Sequence, residues 1–174
     1  MSTATKRFPG KMLLVLLLVF VGIMAFRVLG PSGGVAPTPD FFDRSVTLAS
    51  AVQSSQSTGK PLLVFATADW CGPCQALKRG ALADPEVASL IQTRTVAVYA
   101  DFTKQSEESF QLGTQLRIGA IPALIVLKDG NEIARHEGNV SASKLRDWLV
   151  ASIDRAGTGA GTGVGAGAET TPGG

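Results

Sequence analysis

Histidine occurs once and cysteine only twice in this chain of 174 residues. Two cysteines exclude a small fold stapled by several disulfides, which needs more of them. One histidine and two cysteines cannot fill a tetrahedral structural zinc site, so no metal is expected; only a metal shared across a dimer is left open. Charge is scarce as well, at 17% of the chain, against roughly 25% in soluble domains. The deficit is local. Residues 12–26 carry no charge and are nearly all Leu, Val, Ile, Met or Phe. The formal net charge of +2 is local too, because Lys6, Arg7, Lys11 and Arg27 flank that run. Taking these four from the 16 basic residues leaves 12 against 14 acidic ones. A slightly acidic remainder excludes nucleic acid as a partner, since that needs clustered Lys and Arg to neutralise phosphates.

The two ends of the chain read simply. A membrane-spanning helix needs about 20 apolar residues, with roughly 17 the lower limit. Val28 and Leu29 extend the run to residues 12–29 if Arg27 snorkels to the interface. The expectation is an uncleaved transmembrane anchor at 12–29, after a cationic cytoplasmic segment at 1–11. A cleaved secretory signal is the alternative, with weak cut sites at 23–25 and 28–30. The basic residues before the run place the N-terminus in the cytoplasm and all that follows Arg27 outside it, in a periplasm or its equivalent. Residues 30–40 (GPSGGVAPTPD) read as a linker. Residues 156–174 are Gly, Ala and Thr with few other types. They lack large apolar groups to offset ordering entropy and read as a disordered tail.

The folded part is expected at residues 41–155. Phe41, Val46, Leu48, Ala49 and Val52 suit an amphipathic helix ending near Gly59. Leu62-Leu63-Val64-Phe65-Ala66-Thr67 is apolar on both faces, as in a central strand covered on both sides. A short helix follows at Gln75-Ala76-Leu77-Lys78-Arg79. Asp84-Pro85-Glu86 reads as a helix N-cap, a first-turn proline and an acidic first turn. Val87, Leu90 and Ile91 supply that helix's buried stripe. Residues 95–100 (TVAVYA) form a second strand, and 105–116 a helix with Phe110, Leu112 and Leu116 inward. Residues 123–127 and 132–136 are strands joined at Asp129-Gly130, a hairpin signal. Ser141 or Ser143 caps a last helix with Leu145, Trp148, Leu149 and Ile153 on one stripe. Helix-linked strands followed by a hairpin predict an α/β fold, with a central mixed β-sheet and helices on both faces.

The chemistry concentrates at Trp70-Cys71-Gly72-Pro73-Cys74. Two cysteines separated by two residues stand after a buried strand and at a helix start. Unpaired N–H groups and partial positive charge at a helix N-terminus stabilise a thiolate, which is the nucleophile. Cys71, the more exposed sulfur, attacks a disulfide; Cys74, one turn on and more buried, resolves the mixed disulfide. Gly72 and Pro73 fix the turn between them. Half a zinc site lacks its other ligands. A static disulfide this short constrains little chain, because the gain grows with loop length.

The WCGPC sequence at 70–74 matches the thioredoxin motif residue for residue. Ile118-Gly119-Ala120-Ile121-Pro122-Ala123 resembles the segment before the third main thioredoxin strand. The resemblance covers roughly residues 60–152 and implies a thioredoxin-like fold. Within the superfamily, Ala68-Asp69-Trp70-Cys71 and Ala83-Asp84-Pro85-Glu86-Val87 are most similar to the C-terminal domain of membrane-bound thiol-disulfide interchange proteins. The resemblance implies a cis bond before Pro122, in a loop lying against the cysteine pair. It also implies that Ile121 pairs its backbone with the substrate chain and that Trp70 belongs to the substrate-facing surface. The sequence departs from the family where thioredoxins carry a buried Asp, here Phe65, and its companion Lys, here aligned with Val98. Asp69 is then the nearest carboxylate, expected at the surface, and proton transfer falls to water. His136 is expected to have no functional role.

These readings point to an anchored, extracytoplasmic protein-disulfide oxidoreductase. Gly-Pro between the cysteines is the thioredoxin choice and favours reduction of clients. The resemblance implies clients with disulfides or thiols, such as cytochrome c apoproteins or misoxidised envelope proteins, and a membrane electron donor. No bound cofactor is expected, because the cysteine pair itself holds the redox equivalents. The alternatives are a disulfide oxidase or isomerase, and a non-enzymatic binding or assembly module.

Overall fold

The structure is a computed structural model that describes residues 10–29 and 34–158. The chain divides into two units, Met1–Val35 and Ala36–Gly174. In the first, helix α1 spans Gly10–Leu29, 20 residues. Its large apolar side chains from Leu14 to Met24 are each more than half exposed. The side chains of residues 10, 13 and 26–29 lie outside the described set. Among the described residues no helix is long and apolar enough to cross a membrane.

The second unit alternates helix and strand. Helix α2 (Leu48–Thr58) starts at Thr47, whose side chain accepts from the Ser50 N–H, and ends at Gly59. Strand β1 (Leu62–Thr67) follows, then α3 (Gly72–Arg79), a 3-10 turn at Ala81–Ala83, and α4 (Pro85–Arg94). Strand β2 (Val96–Asp101) and helix α5 (Glu107–Gln115) lead to the β3 (Ala123–Lys128) and β4 (Asn131–Glu137) hairpin. Helix α6 (Ala142–Gly157) closes the unit. The expected cap of α4 is present: Asp84 accepts from the N–H groups of Glu86 and Val87. The hairpin turn places both Asp129 and Gly130 at positive φ, 50° and 81°, the twist that matches antiparallel strands.

The four strands lie in the order β2-β1-β3-β4. Strands β1 and β2 are parallel, while β3 is antiparallel to both β1 and β4. Period-two alternation sends side chains to the two faces in turn. Leu63, Phe65, Tyr99, Leu124 and Val126 meet Leu77 of α3, Val87 and Ile91 of α4, and Leu145, Leu149 and Ile153 of α6. Leu62, Val64, Val98 and Ile125 meet α2 and the end of α5 on the other face. Every residue of β1 is buried, as its two-sided apolar pattern requires.

Several boundaries differ from the sequence reading. Phe41 and Val46 precede α2 rather than lying on it: Asp43 forms a parallel bridge with Val98 of β2, and Phe42 enters the core. The Asp43 N–H donates to the Ala97 carbonyl and the Tyr99 N–H to the Asp43 carbonyl, so the edge of β2 satisfies the backbone groups of this segment. The Ser45 hydroxyl and backbone N–H both donate to the Asp43 carboxylate and hold it below its ordinary value. The folded unit begins within the expected linker, since Ala36 is buried and its N–H donates to Gln75 Oε1 at 2.7 Å. It ends beyond residue 155: Ala156 is buried and Gly157 helical. The remainder of the expected tail, 159–174, and the cationic segment before residue 10 lie outside the described residues. Phe110, expected inward, is 71% exposed.

Candidate active site

Parallel strands β1 and β2 end at the same edge of the sheet, where open α/β folds place their sites. The turn leaving β1 carries Trp70 and the cysteines into α3. Cys71 is the N-cap of α3, with extended backbone, and Cys74 stands at the third helical position. The Cys74 N–H donates to Cys71 Sγ at 3.2 Å. One of the orphan donors of the helix start is therefore aimed at the first sulfur, the arrangement that favours a thiolate there. Cys71 and Cys74 form a disulfide, with their Cα atoms 5.2 Å apart. Cys71 exposes 5% of its surface and Cys74 none, the order expected of an attacking and a resolving sulfur.

Across from the pair runs the loop before β3. The Ile121–Pro122 peptide bond is cis. The Ile121 carbonyl oxygen lies 3.7 Å from Cys71 Sγ. Ala68, Phe102 and Ile121 pack around the two sulfurs. Gly72 and Pro73 face outward on the first turn of α3, while Pro122 is buried and Ile121 half-buried. Trp70 stands on the rim, 62% exposed. Beside it opens a groove of about 740 Å³, lined mainly by Trp70, Phe102, Phe110, Gly113, Ile118 and Ile121. A Cβ at Gly113 would stand 3.3 Å from the Phe102 ring, so the glycine lets α5 close over that side chain.

Sequence reasoning missed the residues that hold this site. Gln75 is buried; its side-chain amide donates to the carbonyls of Ala68 and Asp69, and its oxygen accepts from Ala36. The Asp69 N–H donates to Thr103 Oγ1 at 2.9 Å, tying the cysteine turn to the loop after β2. Lys78 is buried and donates to Tyr99 Oη at 2.7 Å. The signal available was that Gln75 and Lys78 are polar residues on the stripe of α3 that faces the sheet.

Phe65 fills the position where the resemblance leads to expect a carboxylate. It is fully buried between Phe42, ring centroids 5.2 Å apart, and Tyr99, at 5.9 Å. Val98 packs on the opposite face of the sheet. Asp69 is less exposed than a plain surface residue: it is half-buried and faces Lys78 at 3.9 Å. His136 lies on β4, away from the site, against Trp148. Among the described residues no group of three or more His, Cys, Asp or Glu is placed to hold a metal ion.

The profile of the Thioredoxin-like domain family matches residues 48–153, the span from α2 into α6. The chain belongs to this family. A thioredoxin-related protein named DsbJ from Chlamydia pneumoniae is 31% identical over 115 residues, 60% of this chain and 33% of that protein. The thiol:disulfide interchange protein DsbD of Yersinia enterocolitica is 33% identical over 92 residues, 51% of this chain but 16% of that protein. The thioredoxin-like chain thus spans a minor part of both relatives. The fold is shared with the oxidised C-terminal domain of DsbD from Neisseria meningitidis, at a TM-score of 0.53 and 24% identity, over 60% of this chain and 90% of that one. The family match and the Cys71–Cys74 disulfide together mark residues 48–153 as a thioredoxin-like thiol-disulfide oxidoreductase domain.

Proposed function

We propose that the protein is a single-pass, membrane-anchored oxidoreductase whose thioredoxin-like domain lies in the periplasm and reduces disulfides of client proteins. The observation that carries the exchange chemistry is the Cys74 N–H aimed at Cys71 Sγ at the start of α3. The Cys71 thiolate attacks one sulfur of a client disulfide; that S–S bond breaks and a mixed disulfide forms. Cys74 then attacks Cys71 Sγ, the client sulfur leaves and takes up the proton, and the Cys71–Cys74 disulfide is restored. Two electrons pass from the pair to the client. A membrane electron donor returns them, because a cytosolic reductase has no access to that compartment. The client strand lies along Ile121, whose carbonyl faces Cys71, and an apolar client side chain enters the groove beside Trp70.

Anchoring rests on α1. The support is the apolar run of the sequence at 12–29, uncharged but for Arg27, which reaches the roughly 17-residue lower limit for a span only when the residues of α1 whose side chains lie outside the described set are counted. Lys6, Arg7 and Lys11 before it keep the N-terminus cytoplasmic. The relatives named for disulfide interchange support the choice of substrate class.

The deciding experiment equilibrates the full chain in detergent against glutathione or dithiothreitol and reads the oxidised fraction of the pair. A potential near about −270 mV, as in thioredoxin, supports a client reductase; one near about −120 mV overturns that direction in favour of disulfide donation. Absence of a reversible couple would sink the exchange reading and leave a binding or assembly module. Protease added to spheroplasts, but not to intact cells, should remove the thioredoxin-like domain if it is periplasmic.

A further inference from the structure

Lys78 is the buried charge that the exchange chemistry has not yet used. Its side chain is fully enclosed, with 0% exposure, and lysine is almost never buried this completely without a partner. A methionine or leucine would fill the same space without the desolvation cost. The neighbouring positions Ala76, Arg79 and Gly80 are exposed, so α3 has an outward face where a lysine could be solvated.

The direction of the side chain is set by two contacts. Nζ donates to Tyr99 Oη at 2.7 Å and lies 3.9 Å from Asp69 Oδ1. Asp69 precedes α3, so the ammonium has been carried back toward the start of the helix. Side chains on a helix lean that way, over the turn N-terminal to their own Cα. Cys71, Cys74 and Lys78, at i, i+3 and i+7, share one stripe of α3, with Cys74 one turn before Lys78.

We infer that Lys78, held by Tyr99, is a positioning residue for resolution: its ammonium stabilises the buried Cys74 thiolate that attacks Cys71. Cys74 has no exposed surface and packs against Ala68, Phe102 and Ile121, none of which carries a charge. Burial alone disfavours the thiolate, while a nearby cation favours it. The other charged or titratable groups at this cluster are Asp69, Arg44 and Asp101. Asp69 has a side chain that is 36% exposed, so water screens it. Arg44 lies over the Tyr99 ring at 4.7 Å and pairs with Asp101 at 3.5 Å. In the step itself Cys74 gives up its proton, its sulfur bonds to Cys71 Sγ, the mixed disulfide breaks, and the departing thiolate is protonated. The inference rests on thiol exchange alone and holds whichever way the pair runs in the cell.

The test is a single-turnover reaction of the reduced full chain with equimolar 5,5′-dithiobis(2-nitrobenzoate). The first nitrothiolate released reports attack by Cys71, and the second reports resolution by Cys74. In Lys78→Met the second phase is expected to slow about tenfold near neutral pH, with its pH profile displaced upward by about one unit. The first phase should change much less, and Lys78→Arg should keep most of the resolving rate. Tyr99→Phe, which removes only the hydroxyl that holds the ammonium, should displace the second phase in the same direction by a smaller amount. An unmoved second-phase profile in folded Lys78→Met overturns the proposal. If that variant does not fold, Tyr99→Phe decides: no displacement overturns it equally. Loss of the first phase as well, in the unsubstituted chain, would instead mark failure of exchange itself.

Discussion

Phe65 and Phe110 show how two residues of one type take opposite parts. Phe65 is fully buried among Phe42, Tyr99 and the sheet residues around it. Replacing it with the carboxylate expected from the family, Phe65→Asp, should not restore an acid–base group. It removes a core ring, at a cost of roughly 3–5 kcal/mol, and buries an unpaired acid as well. A fall in the urea midpoint measures this; an unchanged midpoint would mean that the core beside Tyr99 admits water. Phe110 projects into solvent beside the groove that Trp70 also lines. Phe110→Ser should leave stability and the rate with a small aromatic disulfide unchanged. Against a protein disulfide, kcat/KM should fall by about fivefold to thirtyfold, the usual cost of truncating an interface aromatic. Equal loss on both substrates would show instead that the side chain supports the fold of the site.

At the scale of elements, the ends of α3 and α4 carry different tasks. The start of α4 is purely structural: Asp84 satisfies two N–H groups and Pro85 needs none. Asp84→Ala should lower stability by about 1 kcal/mol, read as a shift in the thermal midpoint, with exchange kinetics untouched. At the start of α3 the capping side chain is itself the reactive sulfur: Cys71 Sγ accepts from the Cys74 N–H. Periodicity, caps and turn signals together identified every α-helix and strand of the second unit, though not the 3-10 turn at Ala81–Ala83. They failed where long-range contacts decide. The segment after Phe41 pairs through Asp43 with the edge of β2, which lies far along the chain. Closing so long a loop costs entropy that a single bridge does not offset until the sheet exists, and no local pattern encodes the contact. Phe110 obeys helical spacing, but the neighbouring loops leave it outside.

At the scale of the whole molecule, the proposed anchoring would have α1 and the thioredoxin-like unit answer to different solvents. A charge placed in the middle of an apolar span costs about 2.5–3.5 kcal/mol on insertion scales. Leu17→Arg should therefore shift the full chain from the membrane pellet toward the carbonate-soluble fraction, while the reduced and oxidised states of the cysteine pair stay interconvertible. Retention in the pellet would argue against α1 as the anchor. What the sequence alone determined is local in origin: the apolar run, the two-sided strand β1, the capped α4, the Asp-Gly hairpin, and two thiols at a helix start. Each depends on neighbours within a few residues, where spacing is itself the physics. The tertiary structure alone decided which polar groups surround those thiols. Gln75 reaches Ala36, Thr103 holds Asp69, and Lys78 meets Tyr99. These partners come from separate elements, and only the closed sheet, with α3 laid across it, brings them within hydrogen-bonding distance.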